Sequence, residues 1–193
     1  AGVLVGKSYS AKIENSSSSG KVSGNSTIGG LVGYHIGIML NCNSSASVNG
    51  GFRTGGLVGL LGGNVISSES KMIDSFAEGK VSGSNDVGGL IGYSAALVED
   101  SYSVGDVNGS KNVGGLIGYL DRSNASTEIK NLYASGDVSG EESIGGLIGY
   151  IIHRTVKYSY STGNVNGKVG VGGLIGYSDY GDVKDTYSLS NVT

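Results

Sequence analysis

Five aromatic side chains recur at near-constant spacing along the chain: Phe76, Tyr102, Tyr133, Tyr160 and Tyr187. Ser17 and Asn43 stand in the two earlier places of the same series. Aromatic rings repeated on a surface offer apolar faces to sugar rings or to a partner protein, and tyrosine adds a polar tip. Rings brought side by side by the fold can equally stabilise one another. A second series, Tyr34, Tyr93, Tyr119, Tyr150 and Tyr177, has Lys7 and Leu60 as exceptions and reads as a lid over a corner of the core. A third runs Asn15, Asn41, Asp74, Asp100, Asn131 and Asp185. Such oxygens suit calcium, but the glycine-rich Asp nonapeptide of calcium-binding β-rolls is missing. The third series therefore reads as a turn or side-chain ladder.

Catalytic constellations are weak by comparison. The two histidines, His35 and His153, lie in no H-E-x-x-H motif. Acidic residues are spread through turns and loops, and Ser/His/Asp combinations follow trivially from the serine content. The expectation is a protein that is not an enzyme and needs no metal or cofactor. The seven threonines form no column of the kind an ice-binding face needs. A net charge of −3 gives no footprint for nucleic acid, and no apolar run is long enough for a membrane span. One cysteine, Cys42, rules out a disulfide framework. Asn-x-Ser/Thr sequons at Asn15, Asn25, Asn43, Asn108, Asn124 and Asn191 arise by chance in a chain so rich in Asn and Ser.

The elements that carry these series are set by a repeat. There are 37 glycines and no prolines, and the string Gly-Gly-Leu-(Ile/Val)-Gly begins at Gly29, Gly55, Gly88, Gly114, Gly145 and Gly172, with a degenerate copy at Gly2. Aligned on it, leucine fills one column completely: Leu4, Leu31, Leu57, Leu90, Leu116, Leu147 and Leu174. The next column is always β-branched. A later one is always valine: Val22, Val48, Val81, Val107, Val138, Val165 and Val192. A fourth is apolar throughout: Ile13, Met39, Met72, Val98, Ile129, Val156 and Val183. From the fourth column to the valine is always 9 residues, and from the valine to the next Gly-Gly always 7. All length variation falls between the glycine string and the fourth column, on one edge, and the longest segments are Leu61–Lys71 and Leu120–Glu128.

Short apolar runs rich in Val, Ile and Tyr, bounded by Gly, Asn, Asp and Ser, predict strands and no helix. The chain reads as all-β: one parallel β-helix domain over 1–193, with seven coils of 26–27 residues and about three strands per coil, right-handed by the usual rule for parallel crossovers. The predicted strands are the Gly-Gly-Leu string, a Ser-Tyr-Ser-like string and the valine. At about 4.8 Å per coil the rod would be about 34 Å long. On the second strand, Ser16, Cys42, Ser75, Ser101, Leu132, Ser159 and Thr186 should face inward with Ser18, Ser44, Ala77, Ser103, Ala134, Ser161 and Ser188. The aromatics between them should then face outward, by alternation. No coil can fold alone, so stability must come from stacking.

The core Gly-Leu-(Ile/Val)-Gly, clearest at Gly89–Gly92, Gly115–Gly118 and Gly146–Gly149, is followed by Ser-Tyr-Ser-like and Gly-x-Val-(Ser/Asn)-Gly strings. This pattern resembles the GLUG-motif repeats. The resemblance implies an extracellular, cell-surface setting and a stalk, spacer or adhesin role in a bacterial or archaeal surface protein. The chain opens with Ala1 rather than Met, and neither end reads as a polar cap. It is expected to be part of a longer array, or alternatively a filament subunit docking head to tail. Glycan binding along the tyrosine ladder is a third reading. Expected partners are further solenoid units, flanking domains of a larger protein, and a polysaccharide or host surface.

Overall fold

A computed structural model describes residues 1–63, 70–121 and 128–193. Among these residues there is no helix, and every strand pairing is parallel. The strands form a β-solenoid of three sheets. One, of 17 strands, carries the residues after each glycine string together with the fourth-column and aromatic strands. A six-stranded valine sheet holds Lys21–Ser23, Ser47–Asn49, Val81–Ser82, Val107–Asn108, Val138–Ser139 and Val165–Asn166. A six-stranded glycine sheet holds Ser26–Gly29, Phe52–Gly55, Asn85–Gly88, Lys111–Gly114, Glu142–Gly145 and Val169–Gly172.

Each sequence column is a ladder in register, so that Val81 pairs with both Val48 and Val107, and Ile117 with both Ile91 and Ile148. The seven copies of the repeat make about six turns. The first copy pairs with the second through Val5–Glu14 on Val32–Leu40, and the last with its neighbour through Ile175–Asp179 on Ile148–Ile152; isolated bridges add Gly2 to Gly29 and Val192 to Val165.

The strand assignment differs from expectation at the glycine string, which is a corner and not a strand. Gly88 ends one strand, Gly89 and Leu90 bend, and Ile91 begins the next. Each glycine of the string has its own steric reason. A methyl group on Gly88 would run into the carbonyl oxygen of Ile91 across the turn and lie 2.7 Å from the Gly118 nitrogen. On Gly115 it would meet the Gly146 oxygen and lie 2.9 Å from the Ala134 methyl. On Gly118 it would sit 2.6 Å from the Asp86 carbonyl carbon, in the preceding coil. A further strand, unforeseen, carries the fourth column, as in Lys71–Ile73 and Thr155–Lys157. In the first two repeats it fuses with the strand before it, giving Val5–Glu14 and Val32–Leu40.

The middle glycine divides the interior in two. Gly30, Gly56, Gly89, Gly115 and Gly146 press against Ser44, Ala77, Ser103, Ala134 and Ser161, the small inward column of the aromatic strand. On one side of this waist the leucine, β-branched and fourth columns pack together, with Leu31, Leu57, Leu90, Leu116 and Leu147 at 0% exposure and Leu174 partly buried against them. On the other side Val48, Val81, Val107, Val138 and Val165 pack against Ile28, Val87, Val113 and Ile144. That last set belongs to a column the sequence reading passed over, the residue just before each Gly-Gly, where Thr54 is the polar member.

Corners are made by residues in the left-handed region. Asn15, Asn41, Asp74, Asp100, Asn131 and Asp185 have φ between 49° and 56°, a conformation Asn and Asp tolerate better than other side chains. Their side chains form the ladder the spacing suggested, Asn41 donating to Asn15 at 2.7 Å and Asn131 to Asp100 at 2.8 Å. Tyr158 occupies the same corner with φ 48°. The three repeats with a five-residue variable segment absorb the extra residue as Ser10, His153 or Tyr180, again at positive φ. At Ser10 this is a bulge in the pairing of Val5–Glu14 with Val32–Leu40. The longest variable segments contain residues 64–69 and 122–127, so the loops expected there lie outside the described residues.

Candidate functional site: two tyrosine ladders

The aromatic strand alternates as its residue types require. Cys42, Ser75, Ser101, Leu132 and Ser159 are buried, and the aromatic column between the two inward columns points out. Parallel pairing in register then sets ring above ring. Phe76 stacks on Tyr102 at 4.8 Å, Tyr102 on Tyr133 at 4.6 Å, Tyr133 on Tyr160 at 5.3 Å and Tyr160 on Tyr187 at 5.0 Å, with interplanar angles of 6° or less. Within the stack each ring face is therefore covered by its neighbour. What reaches solvent along the ladder is a ribbon of ring edges and hydroxyls, and only the end rings keep a face uncovered. A sugar that packs on ring faces finds no such face in the middle of this ladder. Burial, with neighbouring tyrosines on both sides, raises the pKa of Tyr133.

The second ladder stands in the same sheet, one corner away. Tyr93, Tyr119, Tyr150 and Tyr177 stack at 5.4, 5.1 and 4.9 Å. Tyr34, displaced from them by Leu60, meets Tyr9 edge-on at 5.2 Å. The Arg53 guanidinium covers Tyr93 at 4.5 Å and Phe52 at 4.8 Å, a cation on aromatic faces. The Tyr93 hydroxyl donates to the Asp121 carboxylate. Burial and this carboxylate hold the Tyr93 hydroxyl far above its ordinary range, and burial with Asp121 nearby pushes Tyr119 up to about 12. Both stay protonated at neutral pH.

Other polar groups are turned toward neighbouring coils. Lys111 pairs with Glu142 and Lys168 with Glu141, each at 2.7 Å, and Lys130 pairs with Glu99 at 3.3 Å. A shallow groove on the valine sheet is lined by Lys80, Asp106, Asp137, Asn108 and Ser139. There Lys80 meets Asp106 at 2.9 Å, and Asn164 donates to Asp137. Among the described residues no three His, Cys, Asp or Glu side chains converge, and no helix is long and apolar enough to cross a membrane.

Two buried polar residues escaped the sequence reading. His35 is wholly enclosed in the column that holds Leu61, Leu120 and Ile151, and neither ring nitrogen has a hydrogen-bond partner. Burial lowers its pKa, so the ring is neutral at pH 7. Arg154 is 1% exposed and stands in a corner column otherwise filled by Ala11, Gly37, Ser70, Ala96 and Gly181. Its guanidinium runs along the solenoid axis to donate to the carbonyls of Ala96 at 2.9 Å and Asp121 at 3.3 Å, clasping three successive coils. Burial lowers its pKa to about 10, which leaves it charged at neutral pH. Both residues interrupt columns of small or aliphatic residues, and that interruption is the signal by which they could have been found.

No curated protein and no solved structure matches the chain. The family model of the GLUG motif matches residues 109–139, a stretch holding one glycine corner, one tyrosine from each ladder (Tyr119 and Tyr133) and the core valines Val113 and Val138, so this repeat carries the GLUG motif.

Proposed function

We propose that this chain is a structural segment, a stalk or spacer, of an extracellular surface protein. One observation carries the reading: among the described residues the coils share one column pattern, and many polar and aromatic side chains are engaged with neighbouring coils. The stacked rings, the Asn/Asp corner ladder and the Lys–Glu pairs all run along the axis. Chemistry of this kind stiffens a rod, whereas a catalytic centre would draw different residues together at one place. The surface setting rests on the GLUG resemblance. Protease shaving of intact source cells should release peptides of this chain before lysis. Peptides that appear only after lysis would refute the surface role.

A further inference from the structure

We propose that the outer tyrosine ladder is a site of oxidative cross-linking, in which neighbouring coils become joined by dityrosine. Two independent observations lead there. The first is geometric: Tyr102, Tyr133, Tyr160 and Tyr187 stand ring on ring at 4.6 to 5.3 Å, each fixed in register by the backbone pairing beneath it. Two phenoxyl radicals formed on adjacent rungs are already held as neighbours, the condition under which a coupling becomes effectively unimolecular.

The second observation is what else the chain offers an oxidant. It has no tryptophan, one cysteine and two methionines. Cys42, Met39 and Met72 are all at 0% exposure. Sulfur side chains are oxidised according to their accessibility, so the competing donors are shielded. The tyrosines remain as the accessible one-electron donors.

The co-reactant is hydrogen peroxide acting through a peroxidase that removes one electron at a time. Each of two adjacent phenols loses one electron and one proton. A carbon–carbon bond then forms between their ortho positions, and the two ortho hydrogens move to the oxygens as the rings regain aromaticity. The peroxide takes up the two electrons and two protons and leaves as two waters. The product is a covalent staple across one coil, closing a loop of about thirty residues, which constrains the unfolded chain as a disulfide does. It acts independently of whether the rod is a stalk or a filament.

The test is to treat the purified chain with a peroxidase and hydrogen peroxide and map linked peptides by mass spectrometry. Linked pairs lighter by two hydrogen atoms are expected for Tyr102–Tyr133, Tyr133–Tyr160 and Tyr160–Tyr187. Their yield should not change with protein concentration, and denaturation in urea beforehand should lower it several-fold. Tyr133→Phe keeps the stack, and it should abolish the first two links while leaving the third. Tyr158, 57% exposed, has no tyrosine stacked on it and serves as the internal control. The proposal is overturned if the links are chiefly between molecules through Tyr158 and Tyr180, or if urea leaves the pattern and yield unchanged.

Discussion

Replacing Tyr158 by asparagine tests how the corners of this solenoid are held. At six of the seven equivalent corners the residue is Asn or Asp, and all seven adopt φ near 50°. For an ordinary L-residue that conformation costs roughly 1–2 kcal/mol, and Asn relieves a good part of it. The tyrosine ring is 57% exposed, so deleting it forfeits little packing. Asparagine there would also stand above Asn131, whose own amide already donates downward to Asp100 at 2.8 Å. The new amide can donate to the Asn131 side-chain oxygen and extend the ladder by one rung, adding about 0.5 kcal/mol for an exposed bond. The sum is a stabilisation of about 1 kcal/mol, or about 2–4 °C in Tm for a chain of this size. Urea unfolding and thermal melts followed by circular dichroism would measure it, with Tyr158→Ala as the control that removes the ring without supplying an Asx side chain. If Tyr158→Asn is no more stable than Tyr158→Ala, the corner argument fails.

Two further substitutions probe the interior. Gly118→Ala should cost about 3 kcal/mol, because its methyl group would lie 2.6 Å from the Asp86 carbonyl carbon. Gly6→Ala, at the same place in the motif but with nothing within 4 Å, should change stability by less than about 0.5 kcal/mol; equal effects in a urea titration would show that the glycine serves backbone conformation and not stacking. His35→Leu should stabilise the chain by about 1 kcal/mol at pH 7.5, since it removes an unsatisfied buried polar group. Burial holds the folded pKa of His35 below the unfolded value of about 6.5. As pH falls through 6.5 the unfolded chain takes up a proton that the fold refuses, so the wild type loses stability at up to about 1.4 kcal/mol per pH unit until the folded pKa is reached. The variant lacks this loss, and a stability difference that stays constant from pH 7.5 to 5 would refute the assignment.

The ladders were legible because a parallel solenoid in register turns sequence phase directly into spatial position. Residues 26 to 33 apart fall one above another, so a column of like residues in the alignment is a column in space. Outward-facing Tyr133 and inward-facing Leu132 and Ala134 followed from alternation alone. What residue types could not carry was the shape of the cross-section. Leu-Ile within the glycine string has the β-propensity of a strand, and only the close approach of Gly115 to Ala134 and of Gly118 to Asp86 shows that the string is a corner. The column before each Gly-Gly was hidden for a related reason. It stands beside glycine and contains Thr54, so it reads as turn, yet it walls the second core opposite Val81 and Val107. The same logic bears on the tyrosines. Sequence could place them outward and in line, but not say that their rings would lie within 13° of parallel and cover one another. That covering leaves ring edges and hydroxyls, rather than ring faces, along the outside of the ladder.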